Sequence, residues 1–540
     1  MKTLRMLVLA VVVLGAAAFA GTAVASAAAT VEMAYLVPSD AKAFLETVDA
    51  AGLRQMLLES KFWAALRETE ACRKWLESPK HKEMQERISR LLGKLKMTQD
   101  QALKTYLGGR SAVVLFEGEG KKHGGVLLTD STNELSQRFV KATGGVEVAK
   151  YRDIAIYDVR NEKKTDRVAF AGDVMFVSGS QDDALERVLD VAAGSGSPLG
   201  ANSQFTQAVT GLSPGWRVRA WTAVTPPRKG PGALTMYPQD KGRVHFEWRM
   251  IGTEGDLSLN APVPLTGIGA LPDGAVAAVA TAFHPDALWN FAKAKASEKP
   301  DGAEKIRRAE MFIRGWFPGC SMEAITGGLG PEAALALVKG SGGSAPGLLG
   351  LIKLTAAGRP VADSFKNGLA AKAMILGALT EKNEKAPKLN VREEAYGNAS
   401  MVIIEVSPGV LEKFLGDWAK DIALAVAVTN DWLILGTSPA GVRQAIDTAS
   451  GKGTSLAADL ARQGEKLPAG PATRWGVIQP ASGADIVLGW AERLAGKEKV
   501  EQAKKLTNLA ELLKLVKRLV WQRIDEPTAI RGTTDIQAID

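Results

Sequence analysis

The sequence predicts an α+β protein made of two tandem copies of one unit, each with largely antiparallel sheets and packed helices. Three observations predict it. Short apolar runs lie between glycines, Gly-Asp and Asn-Asp pairs sit where hairpins need them, and the two halves match in unchanged order. Residues 106–118 (YLGGRSAVVLFEG) align with 328–340 (GLGPEAALALVKG), pairing Leu107 with Leu329, Gly108 with Gly330, Ala112 with Ala334, Leu115 with Leu337 and Gly118 with Gly340. The order continues through Pro38/Pro272, Phe139/Phe365, Tyr151/Tyr396, Val159/Val406, Asp173/Asp431, Asp190/Asp447 and Trp221/Trp475, and WRMI from Trp248 is set against WQRI from Trp521. The expected organisation is a signal peptide at 1–27, a first unit at 28–265 and a second at 266–540.

Each copy opens with an apolar strand, after Pro38 or near Pro272. A helical region follows, long in the first copy at 44–97. The runs at 112–116 and 125–129 read as strands. A helix comes next, at 134–142 or 362–373. Strands at 154–159 and 168–177 follow, the second interrupted at 171–173, where Gly-Asp tolerates positive φ; Thr429-Asn430-Asp431 is its counterpart. Helices at 182–193 and 440–449 end the motif, the latter with Ser438 as N-cap and Pro439 at N1.

The copies diverge after Trp221 and Trp475. Residues 225–243 (TPPRKGPGALTMYPQDKGR) read as a Pro/Gly-rich loop, whereas 484–518 read as one long helix. Leu506, Leu509, Leu513, Val516 and Val520 form an apolar stripe at steps of three and four. Lys504, Lys505, Lys514, Lys517 and Arg518 then make a basic face, the candidate contact for an anionic lipid surface or an acidic partner.

The amino terminus has the pattern of a secretory signal. Lys2 and Arg5 precede an apolar run at 6–20, and Ala25-Ser26-Ala27 offers small residues for cleavage after Ala27. The expected location is periplasmic or extracellular, with no transmembrane span in the mature chain. Cys72 and Cys320 are too few for a disulfide framework, and the sequence leaves open whether they pair. A hydrophobic content of 46% with 23% charged residues excludes disorder. The net charge of +8 reads as an excess spread along the chain, without the basic stripe and interleaved aromatics of a nucleic-acid binder.

No pattern of chemistry emerges. His81, His123, His245 and His284 are scattered without a zinc spacing and read as surface or turn residues. Residues 436–440 (GTSPA) lack the second glycine of a hydrolase elbow. The glycine-rich stretches at 194–200, 340–347 and 451–455 lack a phosphate-loop pattern and read as connectors. Asp182-Asp183 and Glu393-Glu394 read as solvated faces. No catalytic, cofactor-binding or metal residue is assigned, and no cofactor is expected. What the halves share is mostly apolar, aromatic or glycine, with Asp173/Asp431 in turns and Asp190/Asp447 near helix ends, which is what holds a fold.

Pro38-Ser39-Asp40 and Pro272-Asp273-Gly274, the LGG/LGP step before Ala112 and Ala334, and the strand ends VSGS (177–180) and LGTS (435–438) together resemble an exported bacterial family catalogued as domain of unknown function 3352. The resemblance spans most of the mature chain and implies an exported α+β protein with no catalytic residues to carry over. The expected function is a non-catalytic cell-envelope protein that binds or organises a partner. Two alternatives stand beside it: a hydrolase whose site is assembled from sequence-remote residues, and a carrier with a large apolar cavity between sheet and helices.

Overall fold

The computed structural model describes residues 32–117, 123–161, 164–179, 183–224, 230–239, 242–252, 261–340, 345–380, 388–407, 412, 416–495 and 500–539. The expected signal peptide lies outside the described residues. The chain divides into two compact units, Met1–Glu254 with Thr528–Asp540, and Gly255–Pro527.

In the first unit a 3-10 turn at Met33–Tyr35 leads to β1 (Ala43–Val48) and then to α1 (Ala50–Glu59), α2 (Lys61–Glu68), α3 (Glu70–Leu76), α4 (Pro79–Leu95) and α5 (Gln99–Leu107). This stretch is several short helices because Ser60, Thr69 and Ser78 recur every nine residues, each accepting a backbone N–H as an N-cap. Phe44, placed in the helical region by the sequence reading, belongs to β1. Next come β2 (Arg110–Glu117), β3 (His123–Asp130), α6 (Asn133–Thr143), β4 (Val146–Tyr151), β5 (Ile154–Asn161), β6 (Lys164–Ala171) and β7 (Val174–Ser178). The unit continues through α7 (Ala184–Ala192), α8 (Ser203–Val209), β8 (Val218–Thr222), β9 (Gly232–Gln239) and β10 (Arg243–Ile251), and takes in β20 (Ala529–Ala538) from the end of the chain. Antiparallel pairing gives the order β4-β5-β6-β7-β3-β2-β1-β8-β9-β10-β20.

The second unit has β11 (Ala275–Ala282), α9 (Pro285–Ser297), α10 (Gly302–Arg314), α11 (Met322–Gly328), β12 (Leu329–Val338), β13 (Gly347–Leu354) and α12 (Gly358–Thr380). Then follow β14 (Leu389–Tyr396), β15 (Ala399–Val406), β16 (Ala423–Val428), β17 (Trp432–Gly436), α13 (Pro439–Ala449), α14 (Leu456–Arg462), β18 (Arg474–Ile478), α15 (Pro480–Ala495), α16 (Val500–Leu513) and β19 (Val516–Asp525). Its antiparallel order is β14-β15-β16-β17-β13-β12-β11-β18-β19. Helices combined with antiparallel strands make the class α+β, as expected.

Alternation along the strands sends one face of each sheet into a main core. In the first unit Phe44, Phe116, Leu128, Phe176 and Trp221 pack with Leu185 and Leu189 of α7 and Phe205 of α8. In the second, Leu351, Met401, Ile434 and Trp475 pack with Ile446 of α13 and Leu460 of α14. Local hydrogen bonds also run in parallel. Ser131 N donates to Asp173 O, and Leu354 N to Asp431 O, each at 2.8 Å. Leu199 N donates to Val37 O and Leu456 N to Leu271 O, at 2.6 and 2.8 Å. Tyr151 donates to Asp190 and Tyr396 to Asp447, each at 2.8 Å. The tryptophans show one offset: Trp221 lies opposite Phe44, six residues after Pro38, while Trp475 lies opposite Ala280, eight after Pro272. A two-residue step keeps both indoles on the core side.

The structure corrects the reading after these tryptophans. Residues 225–243 contain a strand, β9, so Trp221 on β8 pairs with β9 and not with the strand of Trp248. Trp521 lies on β19, directly beside β18, so WRMI and WQRI occupy different places. The single helix expected at 484–518 is two helices followed by the start of β19. Long-range pairing decides this: Val516 and Val520 continue the three-and-four spacing, yet both lie on β19, where Val520 is set opposite Val477 of β18.

Candidate functional site

The helices α15 and α16 pack against each other. Lys504 and Lys505 on α16, Lys514 after it and Lys517 on β19 are all exposed. The face is less basic than its lysines suggest, because Glu501 and Glu511 share α16 and Lys505 approaches Glu501 at 3.9 Å. Arg518 does not belong to the surface. It lies on β19 with 2% of its side chain accessible and holds Glu465, itself 7% accessible, at 2.7 Å. This is a core ion pair, because an arginine so enclosed needs a carboxylate beside it. The strand alternation that buries Arg518 with Val520 exposes Lys517.

Sequence reasoning missed a polar cluster in the first unit. His245, read as a surface or turn residue, is half-buried on β10. Its Nδ1 meets Asp535 Oδ1 of β20 at 2.8 Å, and its Nε2 lies 3.5 Å from Glu247 Oε1. Glu247 accepts from Ser213 N at 2.6 Å and Ser213 Oγ at 2.7 Å, and the Tyr237 hydroxyl donates to Ser213 O. The hydrogen bond to Asp535 raises the His245 pKa, against the opposing effect of burial. Burial would raise Glu247, but Ser213 and His245 bring it below its ordinary value. The arrangement is a lock between strands. Ser213 Oγ is turned to Glu247 rather than to the imidazole, so the imidazole is not placed to take its proton. His245 and Asp535 are 290 residues apart in sequence, which no local spacing could reveal.

In the second unit, Lys366 of α12 is buried and donates to Ser400 Oγ at 2.9 Å, with Asp363 Oδ1 at 3.4 Å from the same ammonium. The ammonium of Lys366 thus ties α12 to Ser400 of β15, with Asp363 of the same helix beside it. Glu394, read as a solvated carboxylate, is gripped by Arg443 at 2.7 and 2.8 Å and by Arg392 at 2.8 Å, which pulls its pKa down to about 2. Its partner Glu393 is exposed. Cys72 and Cys320 are free thiols, and burial raises the pKa of Cys72. Among the described residues no cluster of His, Cys, Asp and Glu could hold a metal ion, and no helix is long and apolar enough to cross a membrane. A cleft of about 440 Å³ is lined by Asp273, Lys339, Gln479, Ser482 and Asp485 together with Ala275 and Val276, and Lys339 bonds Asp485 at 2.7 Å across it.

No protein-family model matches the chain, and no curated protein does. Among solved structures, crystal form I of TP0453 is similar over 42% of this chain and 81% of that one, with 11% identity and a TM-score of 0.25.

Proposed function

We propose that the chain is an exported, non-catalytic cell-envelope protein, made by duplication of one α+β unit, that binds an anionic lipid surface or an acidic partner through basic helical additions to its sheets. The observation that carries the duplication is the shared strand order from β4 to β8 and from β14 to β18, with Tyr151–Asp190 and Tyr396–Asp447 at matching positions in it. A non-catalytic role is supported by the polar clusters, whose groups are engaged with one another rather than aimed at a substrate. Export rests on the pattern at 1–27, and the resemblance to domain of unknown function 3352 accords with it. Binding rests on exposed Lys504, Lys505, Lys514 and Lys517 around α16.

Two measurements test this reading. Amino-terminal sequencing of the protein recovered outside the cytoplasm should begin at Ala28, and an uncleaved cytoplasmic protein would overturn export. The purified mature protein should co-sediment with phosphatidylcholine vesicles containing phosphatidylglycerol and less with phosphatidylcholine alone. Salt at about 1 M, where the screening length is only about 3 Å, should abolish the difference. Equal sedimentation with both would remove the lipid reading and leave the acidic partner.

A further inference from the structure

The cationic surplus is not spread evenly. Residues 61–96 hold ten Lys and Arg against five Asp and Glu, which is five of the eight excess positive charges of the whole chain. This stretch is α2, α3 and α4 of the first unit. No residue of α2 is buried, and none of the described side chains from 79 to 91 is buried. The contrast comes at the end of α4. Leu95 is 3% accessible and enters a core with Tyr106, Met97 and Phe139. The helix is therefore anchored at its last turn, while the described side chains of its first three turns are exposed except for half-buried His81 and Ile88.

Apolar groups accompany the charge. Trp75 at the end of α3 is 51% accessible, and its ring rests against His81 at a centroid distance of 4.4 Å. Met84 and Leu91 on α4 are 42% and 39% accessible and lie seven residues apart, so they share a face. Lys80 and Lys94 are exposed on the same helix, placed by the helical period beside that apolar line. At 1.5 Å per residue, the line from His81 to Leu91 runs about 15 Å. A tryptophan, a line of long apolar side chains and flanking lysines on two consecutive helices are what an interfacial segment needs to lie in the headgroup region of an anionic bilayer. An acidic protein would answer the charge but would leave Trp75, Met84 and Leu91 without a reason to be exposed together.

We infer that α3 and α4, from Trp75 to Lys94, are the membrane-contacting arm of this protein and lie on an anionic phospholipid surface. The inference rests on the lipid reading above and assigns that contact to a place other than α16. Each lysine near such a surface adds severalfold to the affinity, and burial of the apolar line adds a comparable factor.

The test uses the full mature protein and vesicles of phosphatidylcholine with phosphatidylglycerol. Three variants are compared with wild type: Trp75→Ser with Met84→Ser and Leu91→Ser; Lys80→Gln with Lys82→Gln and Lys94→Gln; and Lys504→Gln with Lys505→Gln, Lys514→Gln and Lys517→Gln. Both arm variants should lose about tenfold or more in vesicle partitioning, whereas the third set loses less. In wild type, amide exchange should slow across residues 75–94 when phosphatidylglycerol vesicles are added. This readout does not depend on any variant folding. If only the third set loses binding and the arm amides are unchanged, the arm assignment falls while the lipid reading stands. If wild type ignores phosphatidylglycerol, both fall, and binding to polyglutamate at low salt would then mark an acidic protein as the partner.

Discussion

The Tyr396 hydroxyl donates to Asp447 Oδ2 at 2.8 Å, tying the end of β14 to α13. Tyr151 makes the same bond to Asp190, from β4 to α7. Each bond fixes a helix against the sheet at its outer strand. We predict that Tyr151→Phe and Tyr396→Phe each lower thermal stability by a small amount, on the order of a degree or two, because both tyrosines are partly exposed and water replaces part of the bond. The losses should add in the double variant, as they do for distant sites. Calorimetry of the single and double variants checks this, and a double variant much worse than the sum would contradict it.

Arg518 and Glu465 are expected to behave as one unit. Arg518→Ala should destabilise the protein by about 3–5 kcal/mol, since Glu465 would be left charged in a site that water scarcely reaches. Arg518→Met with Glu465→Leu should recover most of that loss. Urea unfolding of the two proteins decides, and equal loss in both would mean that the charges matter less than the packing of the long side chain.

His245 gives the fold a pH dependence. Its pKa is raised in the folded state, chiefly by Asp535, so its stabilisation is fully present below the ordinary value of about 6.5 and is lost as pH rises through the folded value. Glu247 works with the opposite sign: its lowered pKa contributes above about 4.5 and is lost as pH falls through the folded value. Replacing His245 by Gln should therefore flatten the fall in stability as pH rises above about 6.5. The thermal midpoint followed across that range is the measurement, and an unchanged slope would count against it.

Gly476 has a steric role. A Cβ built there would overlap the Trp521 indole, which lies across it from β19. Gly476→Ala should cost about 1–3 kcal/mol by displacing the ring, whereas Gly483→Ala, which would meet nothing nearby, should be nearly neutral or slightly stabilising. Denaturant midpoints for the two substitutions compare them directly.

Where neighbours along the chain decide the structure, the sequence was readable. The Gly172-Asp173 and Asn430-Asp431 turns, the Ser438 cap and the strands between glycines lie close to where local chemistry puts them. Legibility failed where distant strands compete with local pattern. Val516 and Val520 keep helical spacing, yet both lie on β19 and Val520 pairs with β18, while residues 232–239 have loop composition but pair with β10 and, over 232–236, with β8. The polar clusters were hidden for the same reason. His245 gains its partner only because β20 returns to β10, and Lys366 on α12 meets Ser400 on β15 with β14 between them in sequence. The basic stretch at 61–96 is hidden for another cause: its five surplus positives are diluted in the net charge of a 540-residue chain.

The pairing of β10 with β20 also sets an order of events during synthesis. Met250 lies opposite Ile530, so a ribosome that has finished β10 must add roughly 280 more residues before the strand's partner exists. At about 5–20 residues per second that interval lasts from about a quarter of a minute to a minute, during which β10 offers an unfilled edge to other nascent chains or to chaperones. A product stopped before Ala529 would carry this vulnerability permanently, and its damage would surface in the half that was made first.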